Sequence, residues 1–179
     1  MFAAVSLGVF DALEREPAGA ESLAAALQLS REPLERLLHA CVGLKLLRKE
    51  EHLYANERVA SAYLCHASEH SLVGYILYSN DVLFPLWNHL EDAIREGTPR
   101  WDQEFGTEDA IFDHFFRSED DKQTFLQGMH GLGLISSPKV VEAFDLSQFR
   151  HMLDLGGATG HLAIAACERY PQLRATVFD

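Results

Sequence analysis

The sequence predicts a mixed α+β and α/β fold: a mainly α-helical N-terminal part containing a winged helix, then the first βαβ unit of a parallel nucleotide-type sheet. Three observations predict it. Residues 150–179 read RHMLDLGGATGHLAIAACERYPQLRATVFD, an apolar stretch, a glycine cluster, a helical pattern and a β-branched stretch ending on an acid. Residues 17–64 carry two short helical patterns followed by two short β-type runs. Between them, residues 71–149 repeat apolar side chains at helical spacing.

Taken in order, Phe2, Val5, Val9 and Leu13 make an apolar helical stripe over residues 2–14. No cap precedes it and the far end stops on the acid of a second strand, so the chain is expected to be a fragment or shortened isoform of something longer. Leu23, Ala26 and Leu27 fall at helical spacing within residues 20–29. Ser30 is placed to cap the next helix, and Pro33 sits in its first turn, where a missing N–H costs little. Leu34, Leu37, Leu38 and Cys41 mark that helix's buried face, and Lys45–Glu50 with Leu53–Asn56 would form the wing.

A winged helix raises the question of DNA binding. Residues 1–66 contain seven Lys or Arg against nine Asp or Glu, and Arg31 and Arg36 on the would-be recognition helix are offset by Glu32 and Glu35. The basic footprint that phosphate contacts require is missing.

The middle segment is expected to be helical throughout residues 71–149. Leu83, Trp87, Leu90 and Ile94 share one face, and Gly97 closes that helix. Ile111, Phe112, Phe115 and Phe116 form an aromatic stripe suited to core packing or a substrate wall. A further helix from about Glu119 carries Phe125, Leu126, Met129 and Leu132, interrupted by Gly128, Gly131 and Gly133. Each helical glycine costs about 1 kcal/mol relative to alanine, so another element is expected to approach the backbone there, most simply at a dimer contact. Pro138–Phe144 reads as a separate short linker helix.

In the terminal unit, Met152–Leu155 is short enough for a buried parallel strand, and Gly156, Gly157 and Gly160 break it into a tight turn. Leu162, Ile164, Ala165, Ala166 and Tyr170 would cover one side of the following helix, Pro171 stops it, and Arg174–Phe178 delivers Asp179. A dinucleotide fingerprint would need glycine at 155, where Leu155 stands. Asp154 lies two residues before the first glycine; it repels a phosphate but accepts hydrogen bonds from an ammonium group. Asp179, nineteen residues after Gly160, is placed to accept from both hydroxyls of a ribose. An amino acid joined to an adenosine is S-adenosylmethionine.

Asp154 to Gly160, the helix after it and the Thr-Val-Phe-Asp ending resemble the cofactor motif of class I methyltransferases. More narrowly, the chain is similar to the acetylserotonin O-methyltransferase family and its acetylserotonin O-methyltransferase-like relatives. The matching stretches are Leu7–Leu13, Glu35–Leu38 with Gly43–Leu47, Ala93–Gly97, Phe144–Ser147 and the terminal βαβ unit. The resemblance implies three segments: a winged-helix dimerisation domain at 1–66, helices flanking substrate and cofactor at 67–149, and the start of an incomplete Rossmann-like S-adenosylmethionine-binding domain at 150–179. It implies cofactor contacts from Asp154, Gly156, Gly157, Gly160, Asp179 and an aromatic at Phe116, metal-independent chemistry, a homodimer, and a small aromatic hydroxyl as substrate, such as an N-acylated hydroxyindole. The family's catalytic base would fall after Asp179, so this chain alone is expected to be inactive. Two departures stand out: Ala158 replaces the third glycine of the family's turn, and Gly133 stands where the acetylserotonin enzyme has a cofactor-stacking tryptophan.

Composition sets the remaining bounds. Net charge is −12 from 15 basic and 27 acidic residues, which disfavours nucleic acid and anionic membranes as partners. Cys41, Cys65 and Cys167 have no CxxC spacing, which suits three buried thiols in a reducing compartment. No apolar run approaches the roughly 18 residues of a membrane span, and the opening residues lack the basic start of a signal peptide, so a cytoplasmic address is expected. None of the nine histidines stands beside a second titratable group in a dyad pattern. Beside the methyltransferase reading stand a catalytically inactive dimerisation scaffold and a truncated partner that pairs with intact subunits.

Overall fold

The computed structural model describes residues 1–106 and 118–179, and the chain divides into two compact units, Met1–Thr98 and Pro99–Asp179. The first unit opens with α1 (Phe2–Ser6) and α2 (Val9–Arg15). These are two helices where the apolar stripe suggested one. Gly8 takes a left-handed φ of +71° and turns the chain, yet Val5, Val9 and Leu13 still reach the core.

Next come β1 (Ala18–Gly19), α3 (Ala20–Leu27) and α4 (Arg31–Gly43), then the antiparallel pair β2 (Leu47–Glu50) and β3 (Leu53–Asn56). β3 pairs antiparallel with both β2 and β1, in the order β1-β3-β2. On α3 the buried face is Ala20, Leu23 and Ala24, and the expected Ala26 is exposed. A helix aligns i, i+3 and i+4, which Ala20 anchors and Ala26 misses. Ser30 occupies the N-cap position of α4 but makes no side-chain cap; only its carbonyl accepts, from Leu34 N–H at 3.2 Å. Leu34, Leu38 and Cys41 are buried as the periodicity required, and pack with Phe10, Leu47 and Tyr54.

α5 (Arg58–Tyr63) closes this core over Asn56. The Asn56 amide donates to Phe10 C=O at 2.9 Å and to Glu14 Oε2 at 2.8 Å. Donors from Ser61, and then Asn56, hold the Glu14 carboxyl below its ordinary value. Burial, reinforced by the charges of Glu14 and Asp11, pushes the Cys65 thiol up to about 12.

α6 (Val73–Tyr78) runs through a π turn (Ser79–Leu83), α7 (Phe84–Leu86) and a 3₁₀ turn (Trp87–His89) into α8 (Leu90–Glu96). Pro85 has no N–H to return to Asp81, and the helical register is broken around it. Gly97, at φ +67°, ends α8 as the sequence required. The stripe on this segment is not buried within the chain: Trp87 is 64% and Ile94 74% exposed.

The second unit holds α9 (Trp101–Phe105), α10 (Glu119–Glu142), β4 (His151–Leu155), α11 (His161–Arg169) and β5 (Arg174–Phe178). The Ile111–Phe116 stripe lies outside the described residues. α10 is a single helix with Pro138 inside it, where a separate linker helix from Pro138 to Phe144 was expected, and residues 143–150 are not helical. An internal proline costs about 3 kcal/mol. Burial of Val141 with Ala166 and Leu173, one turn beyond the proline, offsets it. β4 and β5 pair in parallel from His151↔Arg174 to Leu155↔Phe178. α11 packs through Ala163 and Ala166 while Ile164, expected inward, is 52% exposed. Leu153, Leu155 and Phe178 are also exposed.

Candidate functional site

The candidate site forms where β4 and β5 end side by side. Gly156 follows β4 at φ +71°, and its N–H donates to Phe178 C=O at 2.7 Å, locking the turn to the last residue of β5. Ala158 and Gly160 also take left-handed φ, +45° and +77°, and Gly160 N–H returns to Gly157 C=O at 2.7 Å. For Ala158 that conformation costs roughly 1–2 kcal/mol.

Gly157 is required for a different reason. A Cβ there would stand 2.7 Å from the Asp154 carboxyl and 2.8 Å from Val177 Cγ1, so no side chain fits without displacing both. The acid two residues before the glycines is therefore folded against the turn. Its Oδ2 is buried with no hydrogen-bond partner among the described residues. Leaving a buried acceptor so is costly unless a donor reaches it.

Asp179 sits opposite. Its Oδ2 accepts from Ala158 N–H at 2.7 Å, so its carboxylate is held at the mouth of the turn. Asp154, Gly156, Gly157, Gly160 and Asp179 are thus brought together at one edge, as their spacing required. Phe116 lies outside the described residues.

Sequence reasoning missed one pair beside this turn. His161, the first residue of α11, places Nε2 2.7 Å from Nδ1 of His130 on α10. Thirty-one positions separate them, so no local pattern could show the dyad. The signal that existed was Gly133: a Cβ there would be 2.8 Å from His161 Cδ2, so part of the helical glycine content serves packing within the chain. Burial, then the charge of His130, pushes the His161 imidazole below its ordinary value. His130 and Thr159 share the wall of a cleft of about 450 Å³ with Leu126, Gln127, Glu119 and Lys122. A cleft of about 650 Å³ in the first unit is lined by charges of both signs, among them Glu14, Arg15, Glu16, Arg48 and Arg58. Of the thiols, Cys41 and Cys65 are buried, whereas Cys167 is partly exposed.

A parallel strand pair joined by a glycine turn and a helix, with an acid near the end of each strand, is the opening βαβ unit of a nucleotide-type α/β fold. Residues 87–179 match the model of the O-methyltransferase domain, and residues 1–66 that of the O-methyltransferase dimerisation domain. The chain belongs to the O-methyltransferase family. It is 38% identical to bovine acetylserotonin O-methyltransferase over all of this chain and 54% of that protein. It is also 38% identical to a human probable bifunctional dTTP/UTP pyrophosphatase/methyltransferase protein, again over its whole length and 29% of the relative. Human N-acetylserotonin methyltransferase, solved in complex with SAM, superposes with a TM-score of 0.90 at 36% identity, over 99% of this chain and 54% of that one. The chain thus spans about half or less of the length of these relatives. Among the described residues no helix is long and apolar enough to cross a membrane.

Proposed function

We propose that the protein carrying this chain is an S-adenosylmethionine-dependent O-methyltransferase acting on a small aromatic hydroxyl of the N-acylated hydroxyindole type. The observation that carries the cofactor reading is the pairing of two carboxylates across one glycine turn: Asp154, half-buried with an Oδ2 that has no partner among the described residues, and Asp179, fixed by the Ala158 N–H. In this reading Asp154 takes the amino-acid ammonium, Asp179 takes the ribose hydroxyls, and Gly156, Gly157 and Gly160 let the backbone come close. When bound, the cofactor supplies an electrophilic methyl group on sulfur. The residues described here bind and orient; we assign no proton acceptor among them. Phe116 is retained, by resemblance alone, as a cofactor-flanking aromatic.

The reading includes a homodimer formed through residues 1–66, the 67–149 and 150–179 segments as assigned from sequence, and a cytoplasmic address. The dimerisation-domain match supports the first of these. Its test is the affinity of the full-length protein for S-adenosylmethionine or S-adenosylhomocysteine. A second reading, a catalytically inactive methyltransferase-like dimerisation scaffold, is favoured by Ala158, a side chain in a left-handed position of the turn. Turnover of any hydroxyindole by the full-length protein removes it.

A further inference from the structure

His130 and Gly133 of α10 meet His161 of α11 where the glycine turn leads into that helix. His161 follows Gly160 directly. Its Nε2 is 2.7 Å from His130 Nδ1, and the rings meet edge to face with centroids 4.2 Å apart. The ring fits only because residue 133 has no side chain, since a Cβ there would lie within 3.2 Å of three His161 atoms. A nitrogen–nitrogen contact this short requires a donor on one ring and an acceptor on the other. The pair therefore holds one hydrogen between its two nitrogens. His130 carries the contact on to the cleft that it shares with Thr159 of the turn.

We propose that His130 and His161 form a proton-sharing clasp that positions the glycine turn against α10, and that they are positioning residues for cofactor binding. The inference rests on the cofactor reading above. One added proton leaves a donor facing an acceptor, and the clasp stays closed. A second leaves two cationic donors face to face, and it opens. The charged groups that line the same cleft as His130 are Glu119 and Lys122 on α10. His161 itself is moved downward by burial and by His130. The second proton thus arrives below the ordinary histidine range: the clasp is closed at neutral pH and opens in acid.

The test is calorimetric titration of the full-length protein with S-adenosylhomocysteine between about pH 8 and pH 5.5, spanning histidine titration. Wild type is expected to lose affinity severalfold toward acid, because the open clasp takes up a proton that the closed one does not. His130→Leu is expected to bind several-fold more weakly at the upper pH. His130→Asn, whose amide stands in for the ring Nδ1 but does not titrate, is expected to restore affinity there and flatten the profile. Wild-type affinity in His130→Leu, or an unchanged pH profile in His130→Asn, overturns the clasp. Absence of binding at the upper pH overturns the cofactor reading instead. The clasp is then decided by histidine NMR titration of the same protein: a His161 resonance that titrates at higher pH in His130→Asn upholds it, and one that does not move overturns it.

Discussion

Replacing Gly157 by alanine separates what its missing side chain does from what its backbone freedom does. Gly157 does not need a left-handed φ, so the substitution adds no backbone strain; it adds one methyl group to a filled space. That methyl would stand 2.7 Å from Asp154 Cγ and Oδ2 and 2.8 Å from Val177 Cγ1, where ordinary contact begins near 3.4 Å. The Asp154 carboxyl and the Val177 side chain each have to retreat by more than half an ångström. Overpacking of this kind costs about 1–3 kcal/mol. If Asp154 carries the ammonium contact, most of that cost falls on binding, a loss of roughly five- to a hundredfold in affinity.

Gly156→Ala is the matched control. Its Cβ meets nothing within 4 Å but must sit at φ +71°, so its cost of roughly 1–2 kcal/mol is backbone strain, read as a lower Tm. Calorimetric titration of full-length variants with S-adenosylhomocysteine, beside thermal melts, distinguishes the two. Adding Asp154→Ala to Gly157→Ala should make the two losses fall short of additive, because the clash with the Asp154 carboxyl is gone. Gly157→Ala with wild-type affinity and an unchanged Tm would refute the packing argument.

Other expectations are simpler. Ala158→Gly relieves the left-handed alanine and is expected to raise stability by about 1 kcal/mol without weakening cofactor binding; a drop in Tm contradicts the strain assignment. The folded-state Glu14 carboxyl is held below its ordinary value of 4.5 by Ser61 and Asn56. Its contribution is present above pH 4.5 and lost as pH falls through the folded value, so wild type is expected to lose more Tm in acid than Ser61→Ala. Native-state alkylation is expected to label Cys167 before Cys41 or Cys65, since the latter two are buried and Cys65 is pushed up to about 12. Peptide mapping that finds Cys65 labelled first contradicts the burial.

The terminal βαβ unit was legible because its signals are local. The β4 and β5 spans, the turn and the acid at its end depend on period, glycine spacing and a proline, all readable within 30 residues. The β2–β3 strand pair was legible for the same reason, through Leu47–Glu50 and Leu53–Asn56. β1 escaped because a two-residue strand has no period and exists only through its pairing with β3. Pro138 misled because local proline chemistry was outweighed by tertiary burial of Val141. Gly133 was read as marking a close approach, and the group that meets it is the His161 ring of the same chain. The His130–His161 contact joins two elements, and no single stretch of sequence contains it.

In the proposed reading, Asp179 and Asp154 form a cofactor site across the glycine turn. Its most direct test is the affinity of the full-length protein for S-adenosylmethionine, with and without Asp179→Ala. That substitution removes the acceptor for Ala158 N–H and, in this account, for two ribose hydroxyls. Hydrogen bonds to a charged group contribute about 1.5–3 kcal/mol, so affinity is expected to fall tenfold or more. Binding that is unchanged by Asp179→Ala, or a full-length protein that does not bind S-adenosylmethionine, would contradict the account.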